Sequence, residues 1–257
     1  MRSLVVLPSY NERADIVALI QALLDTDPGI SVMVVDDSSP DGTAAVIEAA
    51  QRETSAWSGR VELVVRPGKG GRGGAVRDGF ARGMARAPRP DVFVEMDCDF
   101  SHEPKAIPLG LARIGDGCDV VIGARYPDGT IVGWPLKRRV FSFFANSLAR
   151  FLIEPRIADY TNGFRFYSPR AVEVLLAHTQ RHTGYIYLSE SLAHLLRAGL
   201  RVEAFPIYFK NRERGASNTS GAEIRSAFLG VLAIAREYRR GAVTRPAEAL
   251  GSSSQAR

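Results

Sequence analysis

Asp97-Cys98-Asp99 is the triplet of this sequence with the most evident chemistry. It closes an apolar run, Val92–Met96, that reads as a strand. Residues i and i+2 at a strand end point to one side, so two carboxylates face each other there and repel unless a cation lies between them. Hard oxygen ligands select Mg²⁺ or Mn²⁺, and Mg²⁺ typically takes one or two carboxylates with phosphates completing its shell. Such an ion neutralises a departing nucleoside diphosphate. An isolated Asp-x-Asp is more often a helix cap or a solvated loop. The position at the end of a buried run reverses that preference, and Cys98 is then a packing residue. Asp36-Asp37 ends a second apolar run, where a carboxylate accepts hydrogen bonds from ribose hydroxyls or a base N–H. The plainer alternative is that Asp41 caps the next helix and Asp36 or Asp37 orders the turn; one of this pair is expected to be structural and the other functional.

Gly68-Lys69-Gly70-Gly71-Arg72-Gly73 formally matches G-x-G-x-x-G, but it follows the third strand-like run and no Lys-Ser/Thr pair closes it. Lys69 and Arg72 are within reach of a diphosphate; a plain flexible turn is an equal reading. Arg125, Lys137, Arg138, Arg139 and Arg150 cluster around a long helical stretch, and Arg212 and Arg214 lie in a late loop. Guanidinium forks suit phosphate oxygens. The same stretch carries Phe141, Phe143, Phe144, Leu148, Phe151 and Leu152. A basic, aromatic helix docks on a membrane interface, although core packing is the commoner reason for such a face. His102, His178, His182 and His194 lack metal spacing, and no Ser-His-Asp arrangement is evident.

The elements that must position these groups alternate. Apolar runs at Leu4–Leu7, Val32–Val35, Val61–Val65, Val92–Met96 and Val120–Ile122 predict strands. Between them, helices are predicted from Asn11 to Leu24, Thr43 to Arg52, Ala75 to Met84 and Pro104 to Ile114. This βαβ alternation predicts an α/β fold with a mostly parallel central sheet. Ligands bind such sheets at the carboxyl ends of the strands, where Pro8–Glu12, Asp36–Asp41 and Asp97–His102 converge. The second half predicts one long helix over Trp134–Ile153, a short strand Phe164–Tyr167, helices Pro169–Ala177 and Leu188–Ala198, and a strand Val202–Phe209. A polar loop Asn211–Gly221, a last helix Glu223–Tyr238 and a disordered tail from Gly241 follow.

A chain of 257 residues suits one large α/β domain. Its 46% apolar and 24% charged residues are ordinary for a globular protein and exclude a disordered chain. The net charge of +5 suits an anionic partner, whether nucleotide, lipid phosphate, membrane surface or nucleic acid, and equally suits an arginine-rich proteome. Two cysteines, Cys98 and Cys118, form no zinc spacing or disulfide framework and imply a reducing, cytoplasmic setting. The N-terminus enters a strand pattern without a signal-peptide pattern. The most apolar helical stretch, Val140–Ile153, is interrupted by Asn146 and Arg150, short of the ~18 apolar residues a span requires.

Three segments, Pro8-Ser9-Tyr10-Asn11-Glu12, Val35-Asp36-Asp37-Ser38-Ser39-Pro40-Asp41-Gly42-Thr43 and Met96-Asp97-Cys98-Asp99-Phe100-Ser101-His102, resemble family 2 glycosyltransferases with the GT-A fold. Gly123-Ala124-Arg125-Tyr126, Gly133-Trp134-Pro135-Leu136-Lys137-Arg138 with Ser142, Asn162-Gly163-Phe164-Arg165, and Phe209-Lys210-Asn211-Arg212 with Gly215 and Ser217 are similar to the polyprenol (dolichol) phosphate mannosyltransferase branch. The resemblance runs from residue 3 to about 238. It implies a Rossmann-like, three-layer α/β/α catalytic domain over 1–240, with a nucleotide-binding half 1–125 and an acceptor half 126–240, and a tail 241–257. It implies that Pro8, Tyr10, Glu12 and Asp37 hold the nucleoside of a donor, GDP-mannose in this branch. Asp97 and Asp99, with Ser101, would hold Mg²⁺ or Mn²⁺ on the diphosphate. Arg125, Arg138 and Ser142 would hold a polyprenyl phosphate acceptor, and Arg212 and Ser217 would lie on a loop closing over the phosphates. Two departures stand out: Gly215-Ala216-Ser217-Asn218 replaces the usual Gly-x-Ser-Lys, so one cation is missing, and Thr161-Asn162-Gly163 replaces Thr-Gly-Ser. With no spanning segment, the lipid would be met at the membrane surface by a peripherally bound protein.

The reaction expected is an inverting attack by the lipid phosphate on the anomeric carbon. Because that phosphate is already anionic, positioning and charge neutralisation suffice without a strong base. A hydroxyl acceptor with a UDP-sugar donor is the alternative and requires a base carboxylate, for which Asp159 is the best candidate. A nucleic-acid-binding module is disfavoured because no groove-reading or aromatic sheet motif accompanies the arginines. An NAD-dependent enzyme is disfavoured because Pro8–Glu12 stands where the dinucleotide fingerprint belongs.

Overall fold

The computed structural model describes residues 1–182, 186–211 and 221–242, the last segment with side chains over 229–239 only. Among the described residues the chain runs β1 (Ser3–Ser9), α1 (Ile16–Thr26), β2 (Ile30–Asp36), α2 (Thr43–Glu53), β3 (Val61–Val65), α3 (Arg72–Met84), β4 (Val92–Glu95), α4 (Ile107–Gly115) and β5 (Val120–Ala124). It continues through β6 (Thr130–Val132), α5 (Leu136–Leu152), β7 (Arg165–Tyr167), α6 (Pro169–Ala177), α7 (Ile186–Arg197), β8 (Val202–Pro206), β9 (Tyr208–Lys210) and α8 (Gly221–Ala242). A seven-stranded sheet has the order β3-β2-β1-β4-β7-β5-β8, and β6 pairs with β9 in a separate ribbon. Within the large sheet β7 is antiparallel to β4 and β5, and every other pairing is parallel.

The strands are apolar throughout because both faces of the sheet are covered. Alternate residues divide between two cores. Leu4 and Val6 join Met33, Val35, Phe80 and Tyr167 on one face. Val5 and Leu7 join Val32, Val34, Leu19, Ile47 and Leu111 on the other. This is the three-layer α/β/α arrangement expected. On α3, Gly79 and Gly83 lie where a Cβ would run into Val6 and Leu4, so these glycines let the helix approach β1.

Several boundaries differ from expectation, each for a local reason. Helix α1 begins at Ile16 rather than Asn11. Asn11 has φ 62°, and the N–H groups of Asn11, Glu12 and Arg13 donate to the side chains of Ser39 (2.9 Å), Thr43 (3.1 Å) and Asp41 (3.1 Å). The segment is thus strapped to the β2–α2 loop and is unavailable to a helix. The stretch 202–209 is two strands, because Pro206 has no N–H to extend the ladder and the chain turns away to pair with β6. The ribbon strand β6 has only the apolar pair Ile131-Val132, too short a run to predict a strand.

Three non-glycine residues, Asn11, Ser38 and Phe100, have φ of 62°, 55° and 55°. Each lies in one of the three polar clusters that follow β1, β2 and β4. Such backbone costs on the order of 1 kcal/mol per residue and persists where surrounding contacts over-determine it. Among the described residues no helix is long and apolar enough to cross a membrane.

Candidate active site

The carboxyl ends of β1, β2 and β4 open into a cleft of about 210 Å³. Pro8, Tyr10, Glu12, Asp37, Lys69, Arg72, Asp97 and Asp99 line it. Five of the six residues expected at the nucleoside and diphosphate come from the first three loops, and all six meet in this one cleft.

The two aspartates after β2 have separate tasks. Asp36 is fully buried and accepts from the Ser9 hydroxyl (2.8 Å), the Ser39 N–H (2.8 Å) and the Ser39 hydroxyl (2.5 Å), so it ties the β1 and β2 loops together. Asp37 faces the cleft and accepts from Arg66 (2.6 Å) and from the N–H groups of Gly70 (3.1 Å) and Gly71 (2.8 Å). The glycine turn is therefore pinned by Asp37, and it delivers Lys69 onto the ring of Tyr10, Nζ 3.8 Å from the centroid. Asp41 accepts from the N–H (3.0 Å) and hydroxyl (2.6 Å) of Thr43, the first residue of α2, whereas the N-cap position itself is Gly42 and carries no side-chain cap.

Strand β4 ends at Glu95, so the Asp-x-Asp triplet lies just past it. Asp97 and Asp99 line the cleft and also a second, smaller hollow formed with Ser101, Arg125, Arg138, Asn162 and Asn211. Asp97 is paired with Arg72, and one Asp99 oxygen accepts from the Ser101 N–H at 3.0 Å. Cys98 is buried, its thiol 3.3 Å from the Pro8 carbonyl and pushed well up by burial, which makes it the packing residue expected. His102 lies behind the triplet, with Nε2 2.8 Å from Asn162 Oδ1 and its ring stacked on Phe164. Burial lowers its pKa, so at neutral pH it is an uncharged support for the loop.

Asp97 and Asp99 are two carboxylates only; among the described residues no group of three or more His, Cys, Asp or Glu forms a metal cluster. The buried Ser101 hydroxyl has no hydrogen-bond partner and lines the same hollow. Two carboxylates and a spare hydroxyl beside an open cleft fit an oxygen-ligated divalent ion whose shell a ligand's phosphates complete.

In the hollow, Arg125 is buried and held by Asp159, with Nε–Oδ2 2.8 Å and Nη2–Oδ1 2.9 Å. A further Nη2 bond reaches the Thr161 hydroxyl at 2.7 Å. Arg138, at the start of α5, lies 4.1 Å over the Trp134 ring and donates to Asn211 Oδ1 at 3.1 Å. Trp134 also faces Arg125 at 5.2 Å, so one indole supports both guanidinium groups. Ser142 is buried one turn beyond Arg138, its carbonyl accepting from Asn146, and it does not line the hollow. Lys137, Arg139 and Arg150 are exposed and stand apart from these two arginines. Arg212 and Ser217 lie outside the described residues, as do Arg214 and Gly215.

Asp159 is corrected as a base candidate. Its oxygens accept from Arg125 at three points and from the N–H groups of Thr161 and Asn162, and it lines neither cavity. Burial raises its pKa, but the Arg125 charge and these donors outweigh burial and hold it below the ordinary value. Its role is to aim Arg125. The contributions of Trp134 and Glu95 were not anticipated. For Trp134 the signal was available, as an aromatic between the glycine of a turn and a basic helix start.

The family description "Glycosyl transferase family 2" matches residues 4–176. The chain is 37% identical over 231 residues to a polyprenol monophosphomannose synthase of Mycolicibacterium smegmatis, covering 90% of this chain and 85% of the relative. It is 34% identical over 232 residues to an undecaprenyl-phosphate mannosyltransferase of Micrococcus luteus, covering 90% and 93%. In fold it is similar to glucosyl-3-phosphoglycerate synthase of Mycobacterium tuberculosis, solved with Mn²⁺, UDP-glucose and phosphoglyceric acid. The TM-score is 0.65 at 20% identity, over 91% of this chain and 79% of that one.

Proposed function

The chain belongs to glycosyl transferase family 2, and on that premise we propose that it transfers mannose from GDP-mannose onto a polyprenyl (dolichyl) phosphate with inversion. The observation that carries this reading is that Asp97 and Asp99 line both cavities. The donor diphosphate and the acceptor phosphate then meet across one acidic pair.

Pro8, Tyr10, Glu12 and Asp37 hold the nucleoside, and Lys69 on the pinned glycine turn attracts the diphosphate. Asp97 and Asp99, with the Ser101 hydroxyl, hold a divalent cation, Mg²⁺ or Mn²⁺. When bound, that cation supplies positive charge to the leaving diphosphate. Arg125 and Arg138, fixed by Asp159 and Trp134, orient the acceptor phosphate. One of its oxygens attacks the anomeric carbon from the face opposite the diphosphate; a new C–O bond forms as the bond to the diphosphate breaks. The acceptor oxygen is anionic near neutral pH, so no proton has to be removed. The commitment of Asp159 to Arg125 supports this over a hydroxyl acceptor, which requires a free base.

The exposed face of α5 supports a lipid acceptor. Leu136, Val140, Phe143, Phe144 and Phe151 are 75%, 45%, 55%, 65% and 80% exposed, and they recur at helical spacing. The buried side of that helix is Ser142, Asn146 and Ala149. We therefore assign the face to a bilayer surface, with exposed Lys137, Arg139 and Arg150 beside it for anionic headgroups. This seats the lipid phosphate next to Arg138 while the tail stays in the membrane.

The test is a transfer assay with Mg²⁺ or Mn²⁺, a short polyprenyl phosphate, and GDP-mannose, UDP-glucose or UDP-GlcNAc in turn. The reading expects lipid-linked sugar from GDP-mannose alone, abolished by EDTA. Nucleotide release without lipid product discards the lipid acceptor, and product from a UDP-sugar discards the donor.

A further inference from the structure

Arg72 is a residue the proposed reaction leaves without a settled task, and its surroundings are unusual. It is the first residue of α3, and its guanidinium donates to Glu95 Oε1 at 3.0 and 3.2 Å and to the Gly163 carbonyl at 3.1 Å. Glu95 is fully buried, and its other oxygen accepts from the hydroxyls of Tyr187 (2.8 Å) and Tyr167 (3.1 Å). A Cβ at position 163 would strike the guanidinium, so a glycine makes room for it. The head group is thus clamped on one side, and its remaining arm, Nη1, meets Oδ1 of Asp97 at the wall of the donor cleft.

We infer that Arg72 is a built-in counter-cation for Asp97, which makes divalent-metal binding by this protein weak until a nucleoside diphosphate occupies the cleft. The inference rests on the reading that Asp97 and Asp99 hold the metal. A fixed guanidinium on Asp97 repels any cation that approaches this carboxylate, by an amount that grows as solvent is excluded. Swinging the guanidinium away would break the ion pair of Arg72 with the buried Glu95. The diphosphate reverses the balance, because its negative charge attracts the metal and the guanidinium together. Metal and nucleotide then bind with positive coupling, which is reciprocal by linkage. Release of the nucleoside diphosphate loosens the metal in turn, and Arg72 keeps Asp97 compensated and oriented in the emptied site.

The test is Mn²⁺ binding to the whole protein, followed by the paramagnetic resonance signal of the free ion, with and without GDP or UDP. Wild type is expected to bind Mn²⁺ at least tenfold more tightly with the nucleotide that fits. Arg72→Gln is expected to raise the nucleotide-free Mn²⁺ affinity about tenfold and so to shrink the coupling. Arg72→Lys, which keeps the charge, stays near wild type. A gain in affinity is not what structural damage produces, and Arg72→Met provides a second charge-free variant that keeps the apolar stem. Asp97→Asn should lose Mn²⁺ binding under all conditions. If wild type binds Mn²⁺ equally well with and without nucleotide, or charge-free variants leave the nucleotide-free affinity unchanged, Arg72 has no such role while the metal site stands. If wild type binds no Mn²⁺ under any condition, the metal reading falls and the inference falls with it.

Discussion

Arg125 and Asp159 form a two-pronged ion pair, 2.8 and 2.9 Å, with both side chains buried, and it joins the end of β5 to the loop that precedes β7. The Arg125 backbone N–H also donates to Asp159 at 3.0 Å. The pair therefore sets both the direction of the guanidinium and the path of the chain that carries it.

Removing the Asp159 charge leaves a buried guanidinium uncompensated. Asp159→Asn is expected to destabilise the fold by about 3–5 kcal/mol, the usual consequence of breaking a buried pair. For a domain of this size that lowers the melting temperature by on the order of 10 °C. A base role predicts instead an unchanged melting temperature and lost turnover with a hydroxyl acceptor.

The same pair sets a pH dependence. The folded pKa of Asp159 is depressed, so its contribution to stability is fully present above the unfolded carboxylate value of about 3.9 and is lost as pH falls through the lower folded value. Thermal unfolding of wild type should weaken below about pH 4, and Asp159→Asn should lose less stability over that interval. Equal acid sensitivity in the two proteins would refute this.

Asp97→Asn and Asp99→Asn each remove a carboxylate from the wall between the cavities. Each is expected to lower turnover on the order of 100-fold or more, since charge stabilisation by a bound metal is worth several kcal/mol. EDTA should abolish wild-type transfer, and added Mn²⁺ or Mg²⁺ should restore it. Metal-independent turnover in either variant would reject the assignment.

Arg138 is held by Trp134 and Asn211 and lines the smaller hollow, to which the proposal assigns the acceptor phosphate. Arg138→Ala is expected to raise the KM for the lipid phosphate about tenfold or more, the loss of one charge-assisted hydrogen bond, and to leave nucleotide affinity unchanged. Trp134→Ala should follow the same pattern less steeply, because a cation–π contact contributes about 1 kcal/mol. Kinetics with the two substrates varied separately distinguish these effects from loss at the donor cleft.

The apolar face of α5 can be tested without touching the cavities. Phe144→Glu and Phe151→Glu should reduce co-sedimentation with vesicles containing anionic lipid, with stability changed by less than about 0.5 kcal/mol. Transfer to a water-soluble short-chain acceptor should persist. Unchanged vesicle binding would remove the bilayer assignment for this face.

The sequence by itself determined the α/β fold, the mostly parallel sheet and the edge at which the cleft opens. Continuous apolar runs such as Leu4–Leu7 and Val32–Val35 have few alternatives to strands buried on both faces, and a parallel sheet gathers its strand ends on one edge. Polar clusters that directly follow such runs must then meet, and Pro8, Asp37 and Asp97 do line one cleft. Tertiary structure alone decided which charges pair. Nothing in the spacing of Arg72, Glu95 and Asp97, or of Arg125 and Asp159, shows that they touch, because those contacts depend on how helices and loops pack across the sheet. It also decided which side of α5 is buried. Hydrophobic periodicity identifies an apolar face but not its neighbour, and here the core takes Ser142, Asn146 and Ala149 while Phe143, Phe144 and Phe151 face outward.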